Sequence, residues 1–240
     1  MWANDYACVE TASNGDCFFD SISIALKYMT PEEDEAATNR LWALGIDGKI
    51  TPSSPAVKAS GYNAELLRTL VAASIYTSYI RPYLVDWREV YLALRSTGDE
   101  AVINYRHVAP LERGITPETI DEVFANMMKP SIYWGDEFAR RCIEELLNIR
   151  FLVFDEAGVP VVGPTHTTSL NYNPKLFILL HLRGSRTQCG HYMPLVHKAT
   201  GKCVFTLKTL PPDVIVLYRK GIPPRVLEDG TLSWFYTLRT

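Results

Sequence analysis

Cys17 closes the polar stretch Ser13–Asp16 and opens an apolar one, in which Phe18, Phe19, Ile22, Ile24, Ala25 and Leu26 give a helix its buried side. A cysteine at that join sits at the start of a helix, where the leading N–H groups have no internal partner and draw negative charge. A thiolate is stabilised there, its pKa falls, and it becomes a nucleophile at neutral pH. The same N–H groups can hold the oxyanion that forms when the thiolate adds to a carbonyl. Asn14, Gly15 and Asp16 supply the turn, and Gly15 admits backbone angles that other residues avoid. Asp16 works partly against the thiolate, because its charge competes for the same field. The competing reading is a small buried hydrophobe, the commonest fate of a free cysteine.

A thiol nucleophile needs a base, and histidine is the usual one. The chain has five histidines. His107 and His166 lie in polar, loop-like sequence. His181 lies inside an apolar strand and reads as a core histidine, and His197 follows a strand and reads as exposed. His191 differs: a loop ending in Gly190 delivers it to the start of the strand "HYMPLV". Strand ends beside loops let a side chain reach a cleft while its backbone stays rigid. Spacing alone does not separate this from an ordinary strand-end histidine, since Cys17 and His191 are far apart in the chain. Cys189 and His191 make one metal-type pair without a second, and no CxxC occurs, so neither a metal nor another cofactor is expected.

The elements that must position these residues follow from periodicity. A short strand is expected at 6–11 and a Pro/Ser/Gly-rich loop at 48–61. Helices are expected at 63–80, 86–96 and 116–128, the last with Thr116 as cap and Pro117 at its first position. Phe138, Cys142, Ile143, Leu146 and Leu147 recur at helical spacing, with Glu137/Arg141, Arg140/Glu144 and Arg141/Glu145 placed on the wet side. The continuous run "FLVF" at 151–154 suits a strand covered on both faces. Strands are expected at 175–182 and 191–196, with further ones at 203–207 and 214–218. The acidic cluster at 31–35 reads as a solvated face or a helix start. Helices first and strands later suggest α+β, a sheet flanked by helices.

The 240 residues, 47% apolar and 21% charged, can bury a sizeable core unaided. A net charge of −3 without a basic stripe excludes an obvious nucleic-acid partner. The longest apolar run, "LFILLHL", is too short to span a membrane. The first ten residues lack the basic start and apolar stretch of a secretion signal. Five scattered cysteines fit free thiols in a reducing, cytoplasmic compartment.

Three segments together resemble the OTU (ovarian tumour) family of cysteine proteases. Its Asp/Asn-Gly-x-Cys-x-Phe loop stands here as Asn14-Gly15-Asp16-Cys17-Phe18-Phe19. Its Trp-Gly-(acid) segment, running into a helix and an apolar strand, stands as "YWGDEFARRCIEELLNIRFLVF". Its His-aromatic motif stands as "GHYMPLV". The three occur in the family order, and the similarity covers roughly residues 6 to 198. The resemblance implies a papain-like OTU fold, an α+β arrangement with a central, mostly antiparallel sheet flanked by helices. It implies an OTU-like domain over 1–198 and a C-terminal extension, 199–240, packed on it. The implied activity is that of a deubiquitinase, which hydrolyses isopeptide bonds at the ubiquitin C-terminus through a thioester. The implied partner is ubiquitin, polyubiquitin or a ubiquitin-like modifier, the protein acting as a monomer in the cytoplasm, or in a host's cytoplasm if encoded by a virus or bacterium. Cys17 would be the nucleophile and His191 the base. Gly15, Asp16 and the Cys17 N–H would shape the oxyanion site, and Gly190 and Tyr192 would contact substrate. Trp134 would be structural. Many members carry Asp or Asn two residues after the histidine to orient its ring, and Met193 stands there instead. Asn14 is the expected substitute, with a backbone carbonyl or a distant aspartate as alternatives. The rival readings are an OTU-like module that binds ubiquitin without cutting it, and an unrelated cysteine hydrolase of small amides.

Overall fold

The structure is a computed structural model that describes residues 2–43, 58–75, 125–130, 133–135, 137–161, 174–184, 190–221, 225–226 and 232–233. The expected helix 86–96, most of helix 116–128, the end of helix 63–80 and most of the loop 48–61 lie outside the described residues. So do His107, His166 and Cys189.

The order is α1 (Trp2–Asp5), β1 (Tyr6–Cys8), α2 (Cys17–Leu26), α3 (Pro31–Ala43), a 3-10 turn (Ala59–Gly61) and α4 (Ala64–Ile75). Then come α5 (Glu137–Leu147), β2 (Ile149–Phe154), β3 (Leu176–Arg183), β4 (His191–His197), β5 (Val204–Thr206), α6 (Pro212–Gly221), β6 (Arg225–Val226) and β7 (Leu232–Ser233). The main sheet runs β1-β4-β3-β2, with β5 beside the start of β3. Pairing is antiparallel except between β2 and β3, which are parallel. The chain thus forms an α+β fold around a mostly antiparallel sheet.

All six residues of β2 are buried, as a strand covered on both faces requires. Side-chain alternation sorts the strands between two cores. Phe151, Val153, Ile178, Leu180 and Leu182 pack with Phe18, Phe19 and Ile22 of α2, Leu67 and Leu70 of α4 and Ile143 of α5. Leu152, Phe154, Phe177 and Leu179 face the other way, onto Leu195, Phe205, Leu210 and Val214. Each large side chain so buried contributes roughly 1.5–3 kcal/mol. The first core is the one that matters for the site, because it fixes the helix that Cys17 begins.

Two expectations are corrected. Residues 214–218 form no strand; they lie inside α6. Pro212 opens that helix, Asp213 sits in its first turn, and Val214 and Leu217 meet the second core at helical spacing. The β-branched run "VIV" suggested a strand, but tertiary packing overrides so weak a local preference. Glu144 is likewise not on a wet face. It is 2% exposed, accepts the Phe151 N–H at 2.8 Å and pairs with Arg150 at 3.1 Å. That carboxylate locks α5 to the strand that follows it.

The acidic cluster at 31–35 does begin a helix, through a reciprocal cap. The Thr30 N–H donates to Glu33 Oε2 at 2.8 Å, and the Glu33 N–H donates to Thr30 Oγ1 at 3.3 Å. Asp34, inside that cluster, is buried and takes the N–H and hydroxyl of Ser60.

Candidate active site

Cys17 is the first residue of α2. The first helical bond runs from the Asp20 N–H to the Asp16 carbonyl at 2.8 Å. The N–H groups of Cys17, Phe18 and Phe19 therefore precede the helical ladder. Asp16 occupies the cap position but makes no side-chain cap bond. Its carboxylate is committed to Arg68 Nε at 2.5 Å.

Arg68 comes from α4 and is 2% exposed. Its Nη2 donates to the Gly15 carbonyl at 2.9 Å, and its Nη1 donates to the carbonyls of Met127 at 3.0 Å and Tyr133 at 2.7 Å. The guanidinium lies over the Phe19 ring, 4.4 Å from its centre. A buried cation is tolerable when an anion and hydrogen bonds satisfy its donors, and these partners do so. One side chain thus fastens the 13–16 loop, the helix it feeds and the segment around Tyr133. Sequence reasoning missed Arg68. The available signal was a lone arginine beside Leu67 and Val71, on the apolar side of α4.

Gly15 is required twice over. Its φ of +92° is closed to most residues. A Cβ there would also lie 2.0 Å from the Pro130 carbonyl oxygen and 2.8 Å from the Trp134 indole nitrogen. Trp134 and its neighbour Gly135, against which Phe18 packs, therefore support the 13–16 loop from outside the helix.

His191 reaches the site by sheet register. It opens β4 and pairs with Arg183 of β3. On the other side, β1 runs antiparallel to β4, with Cys8 opposite Leu195 and the Val9 N–H donating to the Pro194 carbonyl at 3.0 Å. Continuing that register brings Thr11 level with Tyr192. The Thr11 hydroxyl donates to the Tyr192 carbonyl at 2.7 Å, and its oxygen lies 3.2 Å from His191 Nε2.

The two halves meet at Tyr192. Its ring packs edge-on against Phe18, 5.1 Å between centres. Its backbone hydrogen-bonds the Cys17 thiol. The sulfur is therefore held at the residue next to His191. Burial is the largest influence on the thiol and pushes its pKa up; the hydrogen bonds from the backbone of Tyr192 and Phe18 pull it down, and the charges of Asp20 and Asp16 push it up again. The net shift is upward, so the helix start does not by itself deliver a thiolate. Asp20, part-buried beside Asp16, takes a backbone hydrogen bond from Ala12, which ties the Thr11–Ala12 segment to α2.

Asn14 is exposed, and its Oδ1 accepts the Asp16 N–H at 3.2 Å. Among the described residues, Thr11 meets the histidine ring. Met193, in the position after Tyr192, is fully buried in the sheet. A Cβ at Gly190 would lie 2.4 Å from Leu182 Cδ1, so the end of that side chain would have to shift to admit one. Half-buried His181 has its pKa lowered, chiefly by burial. Among the described residues, no group of three or more His, Cys, Asp and Glu side chains is arranged to hold a metal ion, and no helix is long and apolar enough to cross a membrane.

No protein-family profile matches the sequence, and no curated protein matches it. Among solved structures, the chain is similar to an OTU domain in complex with ubiquitin, at 13% identity over 88% of this chain and 80% of that one, with a TM-score of 0.43. It is also similar to an OTU deubiquitinase from Wolbachia pipientis wMel, at 16% identity over 86% of this chain and 95% of that one, TM-score 0.39. A viral OTU domain protease from Farallon virus is similar at 14% identity over 82% and 88%, TM-score 0.35.

Proposed function

We propose that this chain is a thiol-dependent deubiquitinase of the OTU type, with Cys17 as nucleophile and His191 as general base. One observation carries the reading: the helix that Cys17 opens and the strand that His191 opens meet at the Phe18–Tyr192 ring contact, 5.1 Å between centres, one residue from each. A thiol whose pKa is raised by burial needs such a base to ionise. His191 takes the thiol proton as sulfur adds to the carbonyl carbon of ubiquitin's C-terminal glycine. The Cys17 N–H, ahead of the helical ladder, faces the developing oxyanion, a role worth about 3–4 kcal/mol per donor. The Asp16 N–H is held by Asn14, which sets the turn that aims the Cys17 N–H. Protonated His191 then releases the lysine amine. Water, deprotonated by the same ring, cleaves the thioester.

The sheet-side wall for an extended ubiquitin tail would be Gly190 and Tyr192, with the 13–16 loop opposite. Ubiquitin, polyubiquitin or a ubiquitin-like modifier is the proposed partner of a monomeric, cytoplasmic enzyme, with residues 1–198 as the protease domain and 199–240 as an extension. A panel of di-ubiquitin linkages tests this. Wild type is expected to cleave at least one linkage and Cys17→Ala none. Binding of ubiquitin by wild type without cleavage of any linkage would replace the enzyme with a ubiquitin-binding module. Absence of both binding and cleavage would remove ubiquitin from the account.

A further inference from the structure

Building on the protease reading, we propose that Thr11 is the positioning residue of His191, taking the part that a carboxylate or carboxamide plays in other thiol hydrolases, and that it leaves Nδ1 as the basic nitrogen. A threonine hydroxyl has one hydrogen and two acceptor lone pairs. The Thr11 oxygen lies 2.7 Å from the Tyr192 carbonyl oxygen, which can only accept. Two oxygens at that distance need a hydrogen between them, so the Thr11 proton is spent there. Toward His191 Nε2, 3.2 Å away, the hydroxyl can therefore only accept. Nε2 must carry a hydrogen. In the neutral ring the free lone pair is then on Nδ1, and Nδ1 is the atom that removes the Cys17 proton.

The arrangement holds in both states of the ring. When Nδ1 gains the proton, Nε2–H still donates to Thr11, so the imidazole does not turn over between the two half-reactions. Unlike a carboxylate, the hydroxyl orients the cation without neutralising it. Among the described residues, the charged groups nearby are Asp16 and Asp20, which act on the thiol, and Arg183, which lies opposite His191 in the sheet and is paired with Glu10 at 3.2 Å. Thr11 is fixed from three directions: by the continuation of the β1–β4 register, by the Tyr192 carbonyl, and by the Ala12–Asp20 hydrogen bond next to it. Asn14, exposed and bonded to the Asp16 N–H, serves the loop instead.

The test avoids any dependence on ubiquitin. The alkylation rate of Cys17 by chloroacetamide is followed from pH 5.5 to 9 by peptide mass spectrometry in wild type, His191→Ala, Thr11→Val and Thr11→Ser, each checked for folding by circular dichroism. Thr11→Val is expected to lose roughly 10- to 100-fold of the neutral-pH rate, as loss of an orienting partner does elsewhere, and Thr11→Ser to keep it. His191→Ala is expected to lose at least as much as Thr11→Val. In wild type, two-bond proton–nitrogen spectra should show Nε2 protonated and Nδ1 bare. A Thr11→Val rate equal to wild type, a wild-type rate no better than His191→Ala, or an Nδ1–H tautomer overturns the assignment. If the chloroacetamide pattern holds while no di-ubiquitin is cut, the substrate reading fails and the role of Thr11 stands.

Discussion

The two halves of the site are built by opposite means. Cys17 depends on a single buried cation: Arg68 ties the Gly15 carbonyl, the Asp16 carboxylate and the Met127 and Tyr133 carbonyls to one point in the first core. His191 depends on strand register, with Arg183 on one side, Thr11 on the other and Met193 buried beneath. The first half concentrates its stability in one side chain. The second spreads it over a ladder of backbone bonds, leaving Thr11 with a small structural share and a large chemical one. Damage to the loop should therefore appear as lost stability, and damage at the strand as lost reactivity.

The largest effect is expected at Arg68. Arg68→Met strands Asp16 and the buried carbonyls, and should cost about 3–5 kcal/mol in urea unfolding, the scale for breaking a buried ion pair. Arg68→Lys should recover only part, since a point ammonium cannot replace the guanidinium fork. A loss below about 1 kcal/mol for Arg68→Met would erase the contrast between the halves. Next comes Gly15→Ala, which forces a left-handed residue and a clash with the Pro130 carbonyl. It should cost at least about 1–3 kcal/mol and reduce Cys17 labelling. Thr11→Val should cost only about 1 kcal/mol of stability, the net worth of an ordinary hydrogen bond, while its reactivity falls as set out above. The smallest effect is electrostatic. Asp20 raises the thiol pKa, so Asp20→Asn in a His191→Ala background should move the alkylation midpoint toward lower pH. A shift toward higher pH would contradict the field assigned to Asp20.

Much of this was legible before any coordinates. Gly15 and Cys17 announce a turn into a helix, and "FLVF" announces a strand buried on both faces. Both are local patterns, and local patterns survive folding when they agree with the core. Arg68 and Glu144 were harder, because a buried charge is defined by partners that helical periodicity does not place beside it: Asp16, at the cap position of another helix, for one, and Arg150 and the Phe151 N–H, on the strand that follows, for the other. Thr11 was invisible for a related reason. Its position opposite Tyr192 follows from the β1–β4 register, which no pattern within residues 6–11 specifies. Residues 214–218 show the reverse error, where β-branched composition outweighed the Pro212 and Asp213 start signals.

The central claim is that Cys17 and His191 form one working pair, and it is tested most directly with ubiquitin carrying a C-terminal propargylamide. Incubation with folded wild type should give a single covalent adduct mapping to the Cys17 peptide, absent in Cys17→Ala and strongly slowed in His191→Ala. An adduct on another cysteine, or labelling of Cys17 that is indifferent to His191, would contradict it.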